Sequence, residues 1–300
     1  MYFCVFECEG GPHLGATLPA ERSHIVDLTA AWPRELGAPP ADVAALACKG
    51  PAGLDAVKRI LDSNAPEIPV AGLRLRAPIS RPAKNVFCVG RNYRGHIIEG
   101  NIARGVDPNL FPEHIEFFTK APTAVIGPGD AIPLHAGVTA QLDYEAEFGI
   151  IIGQGGCNID ASQAGAAVFG YTIINDITGR DLQRRHGQWF KGKTLDGSCP
   201  MGPWVVHKSA LADPQALDIK LWVNGELRQS DNTSSMIFPV ESIVAQLSAG
   251  LTLEPGDIIA TGTPSGVGYA MKPPRFLKDG DIIAIEIESI GRLENTVRHS

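Results

Sequence analysis

No apolar run in this chain approaches the roughly 18 residues that a membrane-spanning helix needs, so a helical membrane protein is not expected. Basic clusters are missing too, and a net charge of −7 makes nucleic acid an unsuitable partner. The opening MYFCVFECEGG has neither a basic start nor a cleavage pattern; no secretory signal is expected, and the predicted location is cytoplasmic. The six cysteines, Cys4, Cys8, Cys48, Cys88, Cys157 and Cys199, are scattered without metal-type pairs and read as reduced, mostly core residues. There is no low-complexity tract and no internal repeat, and an apolar share of 44% is ordinary for a globular chain. Its 300 residues suit one large domain, or one of about 200 with a small appendage.

A βαβα rhythm is absent as well, which disfavours a doubly wound sheet. Residues 1–72 read as a small unit of their own, with strand candidates MYFCVFEC and HIVDLT ahead of helical stretches PADVAALACKG and GLDAVKRILDS. The proline-bearing AGLRLRAPISRPAKN marks the linker, and residues 73–300 form the larger unit. There the strand signal dominates, in NVFCVG, TAVIG, EFGIIIG, FGYTIIND, DIKLWVNGEL, DIIATG and DIIAIEIESIG, most of them bounded by turn residues. Asn224-Gly225 predicts a type I′ hairpin. Helices are expected in ASQAGAAVFG and FPVESIVAQLSAG. The fold class is α+β, predominantly β.

What is present is a pattern of acids. Asp143, Glu145 and Glu147 alternate through LDYEAEFGIIIG, and residues two apart on a strand share a face. Carboxylates crowded together repel unless protons or a cation compensate, and oxygen donors suit Mg²⁺, Mn²⁺ or Ca²⁺ rather than zinc. A solvated polar face on an edge strand explains the same alternation. Asp176, at the end of the apolar run in FGYTIIND, reads either as a helix cap or as a third carboxylate of that site. His96 and Glu99 in GRNYRGHIIEGN fall at i,i+3. On a short helix the carboxylate would orient the imidazole as a general base, or the two form a surface pair. Gly95 and Gly100 suggest a mobile, lid-like segment.

Gly187 to Thr194 matches G-x-x-x-x-G-K-[ST] in full, but a P-loop needs a strand before it and a helix after it. The charged DLQRRH comes before, and LDGSCPMGPW, with Pro200 and Pro203, cannot continue as a helix. Lys193 is better read as a cation near the acids. IIATGTPSGVG lacks the dinucleotide order; it offers amides and the Thr263 hydroxyl to a ligand, or else a set of tight turns. No Ser-His-Asp or Cys-His signature has recognisable context.

The series NVFCVGRNYRGHIIE, FFTKAPTAVIGPG, LDYEAEFGIIIG, GYTIINDITGRDLQ, FKGKTLDGSCPMGPWVV, VNGELRQSDNTSSMIF, LEPGDIIATGTPSGVG and LKDGDIIAIEIESIG resembles the fumarylacetoacetate hydrolase family, in order, over about residues 75 to 298. The resemblance implies a mixed β-sandwich roll, a homodimer, and a divalent cation, Mg²⁺ with Mn²⁺ or Ca²⁺ as substitutes, held by Glu145, Glu147 and Asp176. It places the family's catalytic dyad on His96 and Glu99 and its lysine on Lys193. Arg180, Gln183 and Thr263 fall on substrate-side positions. The departures are Gly95, where Asp is more usual, and Gly179, where Ala is common. The implied activity is hydrolysis of the C–C bond of an acylpyruvate or related 2,4-dioxo acid, with a dioxo sugar acid or an aromatic-catabolic diacid as candidate substrates. Decarboxylation of an oxaloacetate-type β-keto acid, or enol-keto isomerisation, is the alternative on the same enolate. A non-catalytic domain holding a structural ion is the reading outside enzymology.

Overall fold

In the computed structural model, which describes residues 1–18 and 22–299, the expected apolar runs are strands. EFGIIIG supplies Ala146–Ile152 and FGYTIIND supplies Val168–Asn175, each buried along its whole length. They pair antiparallel, with Ala146 opposite Asn175 and Glu147 opposite Ile174. Asn224 and Gly225 turn with φ of 52° and 79°, and Val223 faces Glu226 across the hairpin. Positive φ at both central residues is the type I′ geometry that the Asn-Gly pair predicts.

Among the described residues the main sheet has 12 strands. From one edge its path runs through Glu67–Pro69, His24–Asp27, Gly11–Thr17, Tyr2–Cys8 and Cys199–His207. It continues through Val168–Asn175, Ala146–Ile152, Ile258–Ala260, Val86–Gly90 and Glu116–Lys120. A five-stranded sheet packs against it, in the order Glu226–Asn232, Asp218–Val223, Ile282–Ile287, Gly291–Arg298 and Ala131–Pro133. Phe148, Ile150 and Tyr171 of the first sheet meet Ile219, Leu221, Ile285 and Leu293 of the second in one core. The fold is α+β, mostly strand. No helix among the described residues is long and apolar enough to cross a membrane.

Residues 1–72 join this architecture directly. Tyr2 and Phe3 pair with Val206 and Val205. Phe3, Val5, Leu14, Leu46 and Val57 share a second core with Val86, Ile151, Ile174 and Ile258. Each such side chain contributes roughly 1.5–3 kcal/mol on full burial, so the seam with residues 73–300 is apolar and continuous. The helix Val43–Cys48 starts where Asp42 accepts the Ala45 amide at 2.8 Å, and Gly50–Leu61 turns Ala56, Val57 and Ile60 inward.

One strand lies outside the expected runs. LDGSCPMGPW reads only as unable to continue a helix, and from Cys199 it enters Cys199–His207, a fully buried strand in the interior of the sheet. Proline lacks the ladder donor and is tolerated at strand starts and irregularities. Pro200 stands at the start, beside a parallel partner, and Pro203 falls within the irregularity between the Ile173–Gly202 and Tyr171–Val206 pairs. The cysteines also divide more evenly than expected: all six are free, with Cys4, Cys88 and Cys199 buried and Cys8, Cys48 and Cys157 exposed.

Candidate active site

The site is built where the paired strands Ala146–Ile152 and Val168–Asn175 end. Glu145 precedes one strand and Asp176 follows the other, and the Asp176 amide donates to the Glu145 carbonyl at 2.9 Å. Glu147 points to the same place from within its strand. Oxygens of Glu145, Glu147 and Asp176 all lie within 4.8 Å of one another, and all three residues are buried. Asp143 does not join them. Strand structure lapses at Tyr144 and Glu145, between the short strand Leu142–Asp143, which pairs with Thr178–Gly179, and Ala146–Ile152, while the pairing register is kept. Asp143 is taken up by other partners: it accepts from Arg180 at 2.9 Å and from the Gly268 amide at 2.9 Å. Nor is Asp176 a helix cap, because the helix Arg180–Arg185 begins after Gly179.

Cations surround the acids unevenly. Lys193 Nζ donates to Glu145 at 2.5 Å and to Asp176 at 2.6 Å. Arg180 lies 2.7 Å from Glu145, and its guanidinium covers the Tyr269 ring at 4.5 Å. Lys120 donates to Asp176 at 2.7 Å, to the Ile177 carbonyl at 3.1 Å, and to the Lys193 carbonyl. Burial alone would raise the Glu145 carboxyl, but Arg180 and Lys193 outweigh it and hold it well below the usual range. Burial likewise would lower Lys193, and Asp176 and Glu145 reverse that. Glu147 is left without an ion pair among the described residues. Burial, reinforced by Asp176 and Glu145, pushes its carboxyl well above the normal value, although the Gly262 amide donates to it at 2.8 Å. Three convergent carboxylates, one of them uncompensated, form an all-oxygen donor set that fits a hard divalent cation.

His96 and Glu99 lie on the helix Arg94–Arg104. With 11 residues, this helix is longer than its glycines suggested. Both glycines are contact points: a Cβ on Gly95 would meet the Ser265 hydroxyl at 3.1 Å, and one on Gly100 the Tyr269 hydroxyl at 2.7 Å. His96 Nδ1 is 3.0 Å from one Glu99 oxygen, and the other accepts the Gly266 amide at 2.9 Å. An ionised carboxylate can only accept, so Nδ1 carries a proton towards Glu99, and the neutral form of the ring presents its lone pair at Nε2.

The Thr261–Tyr269 segment thus ties the pieces together. Gly262, at φ 96°, turns its amide onto Glu147, and a Cβ there would strike Asn92 at 2.8 Å. Thr263 accepts from Gln229 at 2.8 Å, and Gln229 also accepts the Ala146 amide at 2.9 Å. One cavity of about 690 Å³ is lined by Glu145, Glu147, Lys193, His96, Arg180, Gln183 and Thr263. That volume is within the range of small-molecule sites. Asp176 lies beneath it, fully buried, and Glu99 stands behind His96. Apart from Asp143, the residues singled out from the sequence therefore come together.

Sequence reasoning missed Lys120, Gln229 and Asn92. Lys120 occurs in FFTKAP, where nothing in the pattern distinguishes it from a surface lysine, yet it is 0% exposed. Asn92 holds the loop from two sides, donating to the Thr261 and Phe238 carbonyls at 2.8 and 3.0 Å. Their signal is tertiary. The P-loop-like segment is a short helix, Phe190–Lys193, that delivers Lys193 to the acids.

This fold, with a carboxylate cluster buried where two strands end, defines an enzyme class recognisable in known proteins. Residues 85–298 match the family model described as fumarylacetoacetate (FAA) hydrolase C-terminal, and the chain belongs to the fumarylacetoacetate hydrolase family. It is 52% identical, over 225 residues covering 75% of this chain and 73% of the relative, to the oxaloacetate tautomerase YisK of Bacillus subtilis. A fumarylacetoacetate hydrolase structure from Exiguobacterium antarcticum is 42% identical, with a TM-score of 0.84 and full coverage of both chains. A maleylpyruvate hydrolase structure from Sphingobium, in complex with manganese(II) and pyruvate, is 32% identical with a TM-score of 0.79, again over both whole chains. Relatives thus include tautomerases and hydrolases, and they favour the isomerase alternative over the hydrolysis first expected.

Proposed function

We propose that the chain is a divalent-metal-dependent keto–enol tautomerase of a 2-oxo dicarboxylic acid of the oxaloacetate type. The observation that carries this reading is the composition of the cavity, where the acids, Lys193 and His96 share one space with two uncompensated arginines. Arg104 donates to the Gly100 carbonyl at 3.1 Å and to Asn101 at 2.7 Å, and Arg184 donates to Gln141. These partners are neutral, so both guanidinium charges remain available to a substrate's second carboxylate. The name of the Bacillus subtilis relative supports the same substrate class.

Glu145, Glu147 and Asp176 would hold the cation, Mg²⁺ or Mn²⁺ with Ca²⁺ accommodated. Bound there, the ion supplies Lewis-acid stabilisation of charge on the 2-oxo oxygen, worth several kcal/mol. The chain's own residues move the proton. His96 Nε2 takes it from the carbon beside the keto group, and that electron pair passes to the keto oxygen. Lys193 donates to this oxygen as its charge grows, and Glu99 steadies the imidazolium. Delivery of the proton from His96 to the oxygen completes the enol, and no water is consumed. A positioned base of this kind contributes about 10²–10⁴-fold.

Hydrolysis of a 2,4-dioxo acid is the second reading, supported by the names of the two structural neighbours. It requires His96 to activate water instead. A direct test follows enol-oxaloacetate absorbance with Mg²⁺ or EDTA, while pyruvate release and acetylpyruvate cleavage are measured in parallel. Metal-dependent enol loss without pyruvate supports the tautomerase. Stoichiometric pyruvate from oxaloacetate replaces it with a decarboxylase, and acetylpyruvate cleavage alone with a hydrolase. A homodimer and a cytoplasmic location complete the proposal, checked by light scattering and cell fractionation.

A further inference from the structure

A second set of metal-type donors lies in the N-terminal strands, apart from the cavity. Tyr2–Cys8, Gly11–Thr17 and His24–Asp27 are successive neighbours in the sheet. Phe6 faces His13, Cys8 faces Gly11, and Asp27 faces Gly15. Opposed residues of an antiparallel pair share a face, and period two carries that face along each strand. Cys8, His13 and Asp27 therefore project from the side that buries Cys4, Phe6 and Ile25. Gly15 keeps that side open, because a Cβ there would come within 2.7 Å of Ile25 and 3.2 Å of Phe6.

The three donors converge. A sulfur of Cys8, a ring nitrogen of His13 and a carboxylate oxygen of Asp27 lie within 4.8 Å of one another. His13 Nδ1 is 2.7 Å from one Asp27 oxygen, while the other caps the next helix by accepting the Ala30 amide at 3.0 Å. The His13 ring also meets Phe6 edge-on, with centroids 5.9 Å apart. Imidazole and carboxylate are thus fixed in advance, with the exposed Cys8 beside them.

We propose that Cys8, His13 and Asp27 form a second metal site, for a borderline-soft divalent ion of the zinc type, with water in the remaining position. Thiolate, imidazole and one carboxylate select such an ion, whereas the all-oxygen triad selects a hard one. The ion takes the place of the proton between His13 and Asp27 and of the Cys8 thiol proton, so affinity rises with pH. Zinc–ligand bonds are about 2.0–2.3 Å in tetrahedral geometry, so the His13–Asp27 pair, at 2.7 Å, must open slightly, and Cys8 must draw in. Cys8 is placed to do this, at a strand end beside the Gly10-Gly11 turn, where φ is 97° and 130°. The bound ion would clip three strands together at their rim.

The test titrates Co²⁺ into the full-length chain with Mg²⁺ present. The expected result is a near-ultraviolet thiolate-to-cobalt charge-transfer band that saturates at one equivalent and is bleached by Zn²⁺. The band should vanish in Cys8→Ser and His13→Ala and persist in Cys157→Ser. Cobalt held by the carboxylate triad gives no thiolate band, and tautomerase turnover of Cys8→Ser should equal wild type, so this site and the proposed activity fail separately. Absence of the band in the wild-type chain overturns the proposal, as does its survival in Cys8→Ser.

Discussion

The N-terminal edge and the middle of the main sheet bury different chemistry. Among the described residues of 1–72, no acidic or basic side chain is fully buried, and the interior is Phe3, Val5, Leu14, Leu46 and Val57. Around Ala146–Ile152 and Val168–Asn175, by contrast, four carboxylates (Asp143, Glu145, Glu147, Asp176) and three cations (Lys120, Arg180, Lys193) are buried together. Apolar burial stabilises a fold without specifying a reaction. Burying ionised groups costs several kcal/mol per ion unless each finds a partner. Seven in one place therefore mark function rather than stability, and Glu147 is the member whose partner the chain does not itself supply.

Matched truncations in the two regions should separate them most strongly. Asp176→Ala should abolish enol-oxaloacetate turnover and, by leaving Lys120 and Lys193 buried with less compensation, cost about 3–5 kcal/mol in urea unfolding. Leu46→Ala should cost a similar ~2–5 kcal/mol and leave kcat unchanged in the folded fraction. Next in size, His96→Gln should lower kcat by about 10²–10⁴-fold while Mn²⁺ affinity, read by calorimetry, stays within error; loss of metal would remove His96 from the role of base. Smaller again, Arg184→Ala should raise KM for oxaloacetate about tenfold, the equivalent of ~1.4 kcal/mol, without affecting inhibition by monocarboxylic 2-oxo acids. Equal weakening of both would deny it the second carboxylate.

The smallest effect lies on the strand between the two regions. His207, whose amide donates to the Met1 carbonyl at 2.9 Å, is held down to about 4 by burial first and then by the N-terminus and nearby lysines. Its ring nitrogen accepts the Ser209 amide at 3.2 Å, which requires the neutral form. Below the ordinary imidazole value of ~6.5 the unfolded chain binds the proton and the folded one resists it. Stability from this group is complete above that pH and is lost as pH falls towards 4. His207→Gln should flatten the melting temperature between those limits; an unchanged slope would assign the acid sensitivity elsewhere.

Much of this was legible in the sequence, for identifiable reasons. Glu145 and Glu147 stand out because polar alternation ends in FGIIIG, and Asp176 because it closes an equally apolar run. Lys193 was visible through a motif whose flanks excluded nucleotide. Asp143 misled because Arg180 and the Gly268 amide, both remote in sequence, take up its carboxylate, which period-two reasoning cannot see. Lys120 stayed hidden because its three acceptors lie 56 to 73 residues away. The sheet's continuity was equally hidden, since Tyr2 finds its partner at Val206, in a strand disguised by two prolines.

The proposed chemistry requires that the buried acids hold a divalent ion on which turnover depends. Calorimetric titration of EDTA-stripped protein with Mn²⁺, with enol-oxaloacetate turnover measured on each sample, addresses this directly. The expected result is a single ion per chain, activity restored in proportion to occupancy, and both lost in Glu147→Ala. Full activity in the stripped protein, or Mn²⁺ binding indifferent to Glu147→Ala, would contradict it.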